Sequence, residues 1–210
     1  MKHITCYLDF ISPYAYLAFE QLPEVLEGIS HSVTYRPVLL GGLLKHHGTR
    51  GPAEVPAKRD WTYRQVLWLG HAAGVPIEMP ATHPYNPLPH LRLALSTTSD
   101  GDVSRYVAET IFRDIWRGGR EPLDAARLEA LAMQLTPIRD AKGDAVKAQL
   151  RASTDAAAAR GIFGTPTFEV DGKPFWGVDA LPMVRAYLAG DAWFERHWDK
   201  PSTIRNGLPL

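Results

Sequence analysis

Two short segments hold the residue types that could do chemistry. The first is Asp9-Phe10-Ile11-Ser12-Pro13-Tyr14-Ala15-Tyr16-Leu17-Ala18. Ser12 precedes a proline at a predicted helix start, so its hydroxyl takes the N-cap and Pro13 the first helical position, where a missing N–H costs nothing. A helix N-terminus presents unpaired N–H groups and partial positive charge, which attract anions and favour a thiolate over its thiol. Here a hydroxyl stands where a nucleophilic cysteine would serve. Ser12 is therefore a candidate donor to a thiolate brought in from outside, the plain alternative being a structural cap. The second segment is Gly161-Ile162-Phe163-Gly164-Thr165-Pro166-Thr167-Phe168. Pro166 cannot donate to a ladder and belongs at a strand edge or bend. A cis Thr165–Pro166 bond would turn the Thr165 N–H and C=O toward a peptide-like ligand, whereas a trans bond would make this a plain loop.

The elements that must position these segments are legible from periodicity. His3 to Phe10 alternates, with Ile4, Cys6, Leu8 and Phe10 on one face and Thr5, Tyr7 and Asp9 on the other, which predicts a strand. A helix then runs from Ser12 through Leu26 to Gly28, and Ser32 to Leu39 forms a second strand, the opening of a βαβ unit. The centre reads as helical. Lys58 to Ala73 offers Trp61, Val66, Leu67, Trp68 and Leu69 as an apolar face; Pro80 to Pro89 is a loop; Asp102 to Trp116, Asp124 to Leu135 and Asp144 to Arg160 follow, the last closed by Gly161. The sheet pattern resumes with Thr167 to Val170, an Asp171-Gly172 turn and Lys173 to Trp176, after which Asp179 is expected to cap a helix through Leu188. The expected class is α/β, with residues 1–40 and 161–210 as a split domain and residues 41–160 as a helical insertion.

The chain of 210 residues is 45% hydrophobic, enough for a core, and its 23 Lys+Arg balance 23 Asp+Glu. That balance gives no global pull toward nucleic acid or membrane, so an anionic ligand must be held by local groups. The single cysteine, Cys6, excludes an intrachain disulfide and any Cys-x-x-Cys pair, and inside the first strand it is expected to be a packed, inert thiol. Met1-Lys2-His3 leads into the alternating segment rather than an apolar stretch, and no run is long enough to span a membrane, so a cytoplasmic setting is expected. His46, His47, His83 and His90 do not complete a metal-ligand spacing, and there is no Gly-rich phosphate loop. Trp193, Phe194 and Trp198 are expected to cover a core or a subunit contact.

Taken in order, the two segments and their elements resemble the thioredoxin-fold proteins with a helical insertion. Within that group the chain is similar to the kappa-class glutathione transferases and, more closely, to the 2-hydroxychromene-2-carboxylate isomerases. The resemblance is carried by the Ser12 segment, Val55-Pro56-Ala57-Lys58-Arg59-Asp60, Gly74-Val75-Pro76-Ile77, Gly164-Thr165-Pro166-Thr167-Phe168 and Phe175-Trp176-Gly177-Val178-Asp179-Ala180-Leu181. Disulfide oxidoreductases of this fold place Cys-x-x-Cys where this chain has Ser12-Pro13-Tyr14-Ala15, so dithiol chemistry is excluded.

The resemblance implies that glutathione supplies the sulfur. Ser12 would hold its thiolate, Thr165 with Pro166 would pair with the cysteinyl backbone, and Trp176, Gly177, Val178 and Asp179 would bind the γ-glutamyl end. The implied reaction is a cis–trans rearrangement in the catabolism of aromatic hydrocarbons: reversible thiolate addition makes a conjugated double bond single, rotation follows, and expulsion of the sulfur gives the trans enone acid. The thiol pKa of about 8.5 must fall by one to two units, roughly 1.4–2.7 kcal/mol, within reach of a helix terminus and one hydroxyl donor. Lys45, Lys58 and Arg59 are the basic candidates for the substrate carboxylate, and Asn86 a candidate amide. Gly51-Pro52-Ala53-Glu54 stands where the family shows Gly-Pro-Ser-Asn, so Glu54 puts an acid in place of an amide. A homodimer is also implied. Two other readings fit the same residues: a kappa-like transferase, which would consume glutathione, and a noncatalytic thioredoxin-fold module, which would not bind it.

Overall fold

The computed structural model describes residues 1–205 and residue 207; the rest of the expected C-terminal tail, 206 and 208–210, lies outside the described residues. Four strands, β1 (Lys2–Leu8), β2 (His31–Pro37), β3 (Thr167–Val170) and β4 (Lys173–Trp176), form one sheet in the order β2-β1-β3-β4. β1 pairs with β2 in parallel and with β3 antiparallel, and β3 pairs antiparallel with β4. The crossover from β1 to β2 is α1 (Pro13–Val25). Between β2 and β3 come α2 (Leu40–His46), α3 (Pro56–Ala72), α4 (Leu88–Ser96), α5 (Arg105–Trp116), α6 (Ala125–Leu135) and α7 (Asp144–Ala159); α8 (Leu181–Leu188) and α9 (Trp193–His197) follow the hairpin. The helical block thus interrupts the sheet between its parallel and antiparallel halves, as expected.

β1 is central and buried on both faces. Ile4, Cys6, Leu8 and Phe10 face the main core with α1, α5 and α8, while Tyr7, on the nominally polar face, packs with Val38, Leu43, Ala157 and Ile162 under α2 and α7. Strands covered on both sides lose the alternation of a half-solvated strand. An aromatic cluster joins sheet to insertion: the Phe112 ring lies 4.9 Å from Phe10 and 5.3 Å from Phe19, and the Trp116 indole N–H donates to the Phe10 carbonyl at 3.0 Å. Glu20 of α1 takes a bidentate pair from Arg113 and a further bond from Arg117, both at the end of α5.

Three expectations are corrected. On α3 only Val66 of the expected apolar face is buried and Leu69 partly so, whereas Trp61, Leu67 and Trp68 lie exposed; the buried side is made instead by Thr62, Val66 and Gly70, because small residues allow close approach. α5 begins at Arg105 behind a Ser104 cap, and Asp102 serves as a partner for Arg36. Asp179 does not cap α8; it lies in a 3-10 turn, Val178–Ala180, and the cap position is Ala180, which has no side-chain acceptor.

Candidate functional site

The loop from β1 to α1 places Ser12 at the N-cap of α1 in extended conformation, with Pro13 next. Ser12 Oγ accepts the Ala15 N–H at 3.2 Å and its carbonyl accepts the Tyr16 N–H at 3.1 Å. Pro13 has no N–H, so of the helix's first donors only that of Tyr14 has no acceptor among the described residues. The Ser12 hydroxyl donates to the Thr165 carbonyl at 3.0 Å, a buried bond spanning 153 residues of sequence. The cap and the second chemical segment are thereby one site.

The Thr165–Pro166 bond is cis. Contrary to expectation, the Thr165 carbonyl is not free for a ligand, because the Ser12 hydroxyl donates to it. Its amide N–H has no acceptor among the described residues, and its hydroxyl is buried without a partner. The Gly177 N–H donates to the Pro166 carbonyl at 2.9 Å, which ties the end of β4 to the same loop. Two glycines are required here. A Cβ on Gly164 would lie 2.6 Å from Trp176 Nε1, and one on Gly177, whose φ is 99°, would lie 2.3 Å from an Asp179 carboxylate oxygen. The indole of Trp176, exposed, leans on Phe163 with ring centroids 4.9 Å apart, and Asp179 has no ion pair among the described residues.

These groups form one wall of a cleft of about 1070 Å³. The helical block supplies further lining: Leu40 and Leu44 of α2, the segment from Thr49 to Glu54, Thr62, Gln65 and Leu69 of α3, and His83 and Pro84. Ser12, Thr165, Trp176, Gly177, Val178, Asp179 and Glu54 all line it, whereas Pro166, next in sequence to Thr165, does not. The Glu54 carboxylate is already held by the Gly51 N–H at 2.9 Å. Lys45 and Lys58 are exposed and do not line the cleft; Arg59 donates to the Ala53 carbonyl, and Asn86 accepts the Leu88 N–H at the start of α4.

Several residues of the site carry no sequence signal strong enough to select them. Tyr14 donates to Gln65 Oε1 at 2.7 Å across the cleft. His83 Nε2 donates to the Ile11 carbonyl at 2.9 Å, while its Nδ1 lies 2.9 Å from the Tyr63 hydroxyl; burial keeps its pKa below the ordinary histidine value. The His83 ring holds the loop before Ser12 through the Ile11 carbonyl. Among the described residues no group of three or more His, Cys, Asp or Glu side chains could hold a metal ion. Cys6 is buried in β1, where desolvation pushes its thiol up to about 12, so it is no nucleophile at neutral pH.

Comparison with known proteins places the geometry in context. Residues 3–189 match the family model of the DSBA-like thioredoxin domain. The chain is 29% identical over 195 residues to the 2-hydroxychromene-2-carboxylate isomerase of Sphingobium xenophagum, covering 89% of this chain and 98% of that one. It is 27% identical over 205 residues to glutathione S-transferase kappa 1 of Rattus norvegicus, covering 89% and 90%. A solved 2-hydroxychromene-2-carboxylate isomerase superposes over 97% of this chain and 100% of its own with a TM-score of 0.77 at 18% identity. The cytosolic disulfide reductase DsbM of Pseudomonas aeruginosa with GSH superposes at a TM-score of 0.57 and 17% identity over 95% and 99% of the two chains, a likeness of fold. With its strand order, its Ser12–Thr165 junction and a match across nearly its whole length, this chain belongs to the DSBA-like thioredoxin-domain family.

Proposed function

We propose that the protein is a glutathione-dependent isomerase of an aromatic enone acid of the 2-hydroxychromene-2-carboxylate type, working as a homodimer in a reducing cytoplasm. The observation that carries this reading is a buried hydroxyl at the N-terminus of α1, on the wall of a large cleft, in a chain whose one cysteine is out of reach. Its relatives named isomerase and transferase support the class. No helix among the described residues is long and apolar enough to cross a membrane.

The cleft residues fit the tripeptide in kind. Glutathione, when bound, supplies the sulfur nucleophile that this chain lacks. Among the described residues the Thr165 N–H has no acceptor and is a donor for a peptide carbonyl, Asp179 has no ion pair and is a carboxylate for an ammonium group, and Trp176 with Phe163 forms an apolar shelf in the same cleft. The Tyr14 N–H and the end of α1 favour negative charge over Ser12. Ser12 has one proton: to donate to a sulfur it must turn away from the Thr165 carbonyl. Of the cations lining the cleft, Arg185 is held by the Val25 and Glu27 carbonyls, which leaves Arg50 for a substrate carboxylate.

A product assay tests the reading. The trans isomer should accumulate from 2-hydroxychromene-2-carboxylate while total glutathione stays constant. One thiol lost per product would instead mark a kappa-like transferase, which the 27% identity to the rat enzyme keeps as the second reading. No heat of binding on titration with glutathione would mark a noncatalytic module and end both.

A further inference from the structure

Asp9 is fully buried in the loop between β1 and α1, and among the described residues it pairs with no cation. Its two carboxylate oxygens reach two segments, distant in sequence, that both line the cleft. One oxygen accepts the Ile11 N–H at 3.2 Å, and the Asp9 carbonyl accepts the Ser12 N–H at 3.1 Å. The other accepts the Leu40 N–H at 2.8 Å, at the first turn of α2. That helix has a leucine at its N-cap and so no cap of its own; the Leu39 N–H is taken by Thr154 Oγ1 of α7 at 2.9 Å, and the Leu40 N–H by Asp9. Ile11, Ser12 and Leu40 all line the cleft.

We propose that Asp9 is a positioning residue that braces the cleft, holding the Ser12 loop and the start of α2 in register through one buried carboxylate. The brace works in the ionised form, which accepts two N–H groups at once. A protonated carboxyl turns one oxygen into a hydroxyl, a donor and a weaker acceptor, so one of the two segments is held less firmly. Burial pushes the Asp9 carboxyl up to about 7, against the opposing pull of its amide donors, so the change falls near neutrality. The ionisable side chains around it come from the loop ahead of α4. Tyr85 is raised well above the ordinary tyrosine value by burial and by the charges of Asp9 and Asp114, and His83 reaches the same loop through the Ile11 carbonyl and is lowered by burial. Neither supplies a positive charge to Asp9 at neutral pH.

The binding readout rests on the proposed glutathione site; the amide readout does not. Calorimetry with S-methylglutathione, which has no thiol to titrate, should show affinity falling about fivefold from pH 8 to pH 6 in the wild type and staying flat in Asp9→Asn. Hydrogen exchange in the free protein, corrected for intrinsic rates, should show the Ile11 and Leu40 amides losing at least about tenfold protection in Asp9→Asn, while Thr154→Val loosens Leu39 and leaves Ile11 protected. Unchanged protection at Ile11 and Leu40 in a folded Asp9→Asn protein, or a pH-independent wild-type affinity, would overturn the brace. Should Asp9→Asn not fold, wild-type exchange from pH 8 to pH 6 decides: constant protection at both amides overturns it and a drop at either supports it. A wild type that binds no S-methylglutathione at any pH defeats the proposed function instead, and the exchange result still judges Asp9.

Discussion

A serine hydroxyl has one proton to give, and in this protein Ser12 gives it to the Thr165 carbonyl while its oxygen caps α1 through the Ala15 N–H. Structural and chemical roles therefore compete for the same group, and Ser12→Ala removes both. We expect turnover to fall about ten- to hundredfold, the worth of one hydrogen bond to a charged group. Stability should fall by about 0.5–2 kcal/mol for the lost cap; steady-state kinetics and denaturant unfolding separate the two. Asp9 makes a second residue-scale prediction. Its folded pKa, about 7, lies above the ordinary 3.8, so the folded state binds more protons than the unfolded one between those values. Its contribution is fully present below pH 4 and is lost as pH rises through 7. The stability of the wild type relative to Asp9→Asn should thus decline across that window and level off above it, as read from urea unfolding at a series of pH values. His90, lowered to about 4 by burial, acts in the opposite sense in both proteins and cancels in the difference.

At the scale of elements, the two segments that close on Ser12 depend on glycines that leave room for their neighbours. Gly164→Ala would drive a methyl into the Trp176 indole, and the expected result is a displaced indole with altered fluorescence and at least about tenfold weaker glutathione binding, with little loss of helix content by circular dichroism. Beside the aromatic contacts of Tyr16 and Phe19 with Phe112 and Trp116, α1 is tied to α5 by Glu20, whose carboxylate is nearly buried against Arg113 and Arg117. Glu20→Gln should cost about 1–3 kcal/mol in unfolding experiments, because Arg117 loses its counter-charge and Arg113 is left with Glu109 alone. Much at this scale was legible beforehand. Ser12-Pro13 marks the start of α1 because its cap is local, and Asp171-Gly172 marks the β3–β4 turn because both residues take positive φ there. The buried side of α3 is not legible from its apolar residues, because its stripe is built from Thr62, Val66 and Gly70 while its tryptophans face outward.

Over the whole molecule, the cleft is the seam between the sheet and the helices inserted into it. The split of the chain into residues 1–40 with 161–210 and residues 41–160 is a proposal about topology; the core itself runs continuously from Phe10, Tyr16 and Phe19 into Phe112 and Trp116. Phe112→Ala should therefore destabilise sheet and insertion together, by about 3–5 kcal/mol, in one unfolding transition seen alike by far-ultraviolet and tryptophan signals. Ser12, Thr165 and the Trp176–Asp179 segment were legible because their motifs are short and contiguous. The lining supplied by the helical block was not. Lys58 and Asn86 were reasonable by residue type, yet the chain path from α2 to α4 brings Arg50, Gln65 and His83 to the cleft instead, and Asp9 meets Leu40 only through the fold. The central claim is that this cleft lowers the proton affinity of a visiting thiol beside Ser12. Ultraviolet titration of thiolate formation in glutathione bound to the wild type should give a pKa one to two units below the free value of about 8.5, and Ser12→Ala should recover most of that difference. A bound thiol that titrates like free glutathione in the wild type would contradict the account.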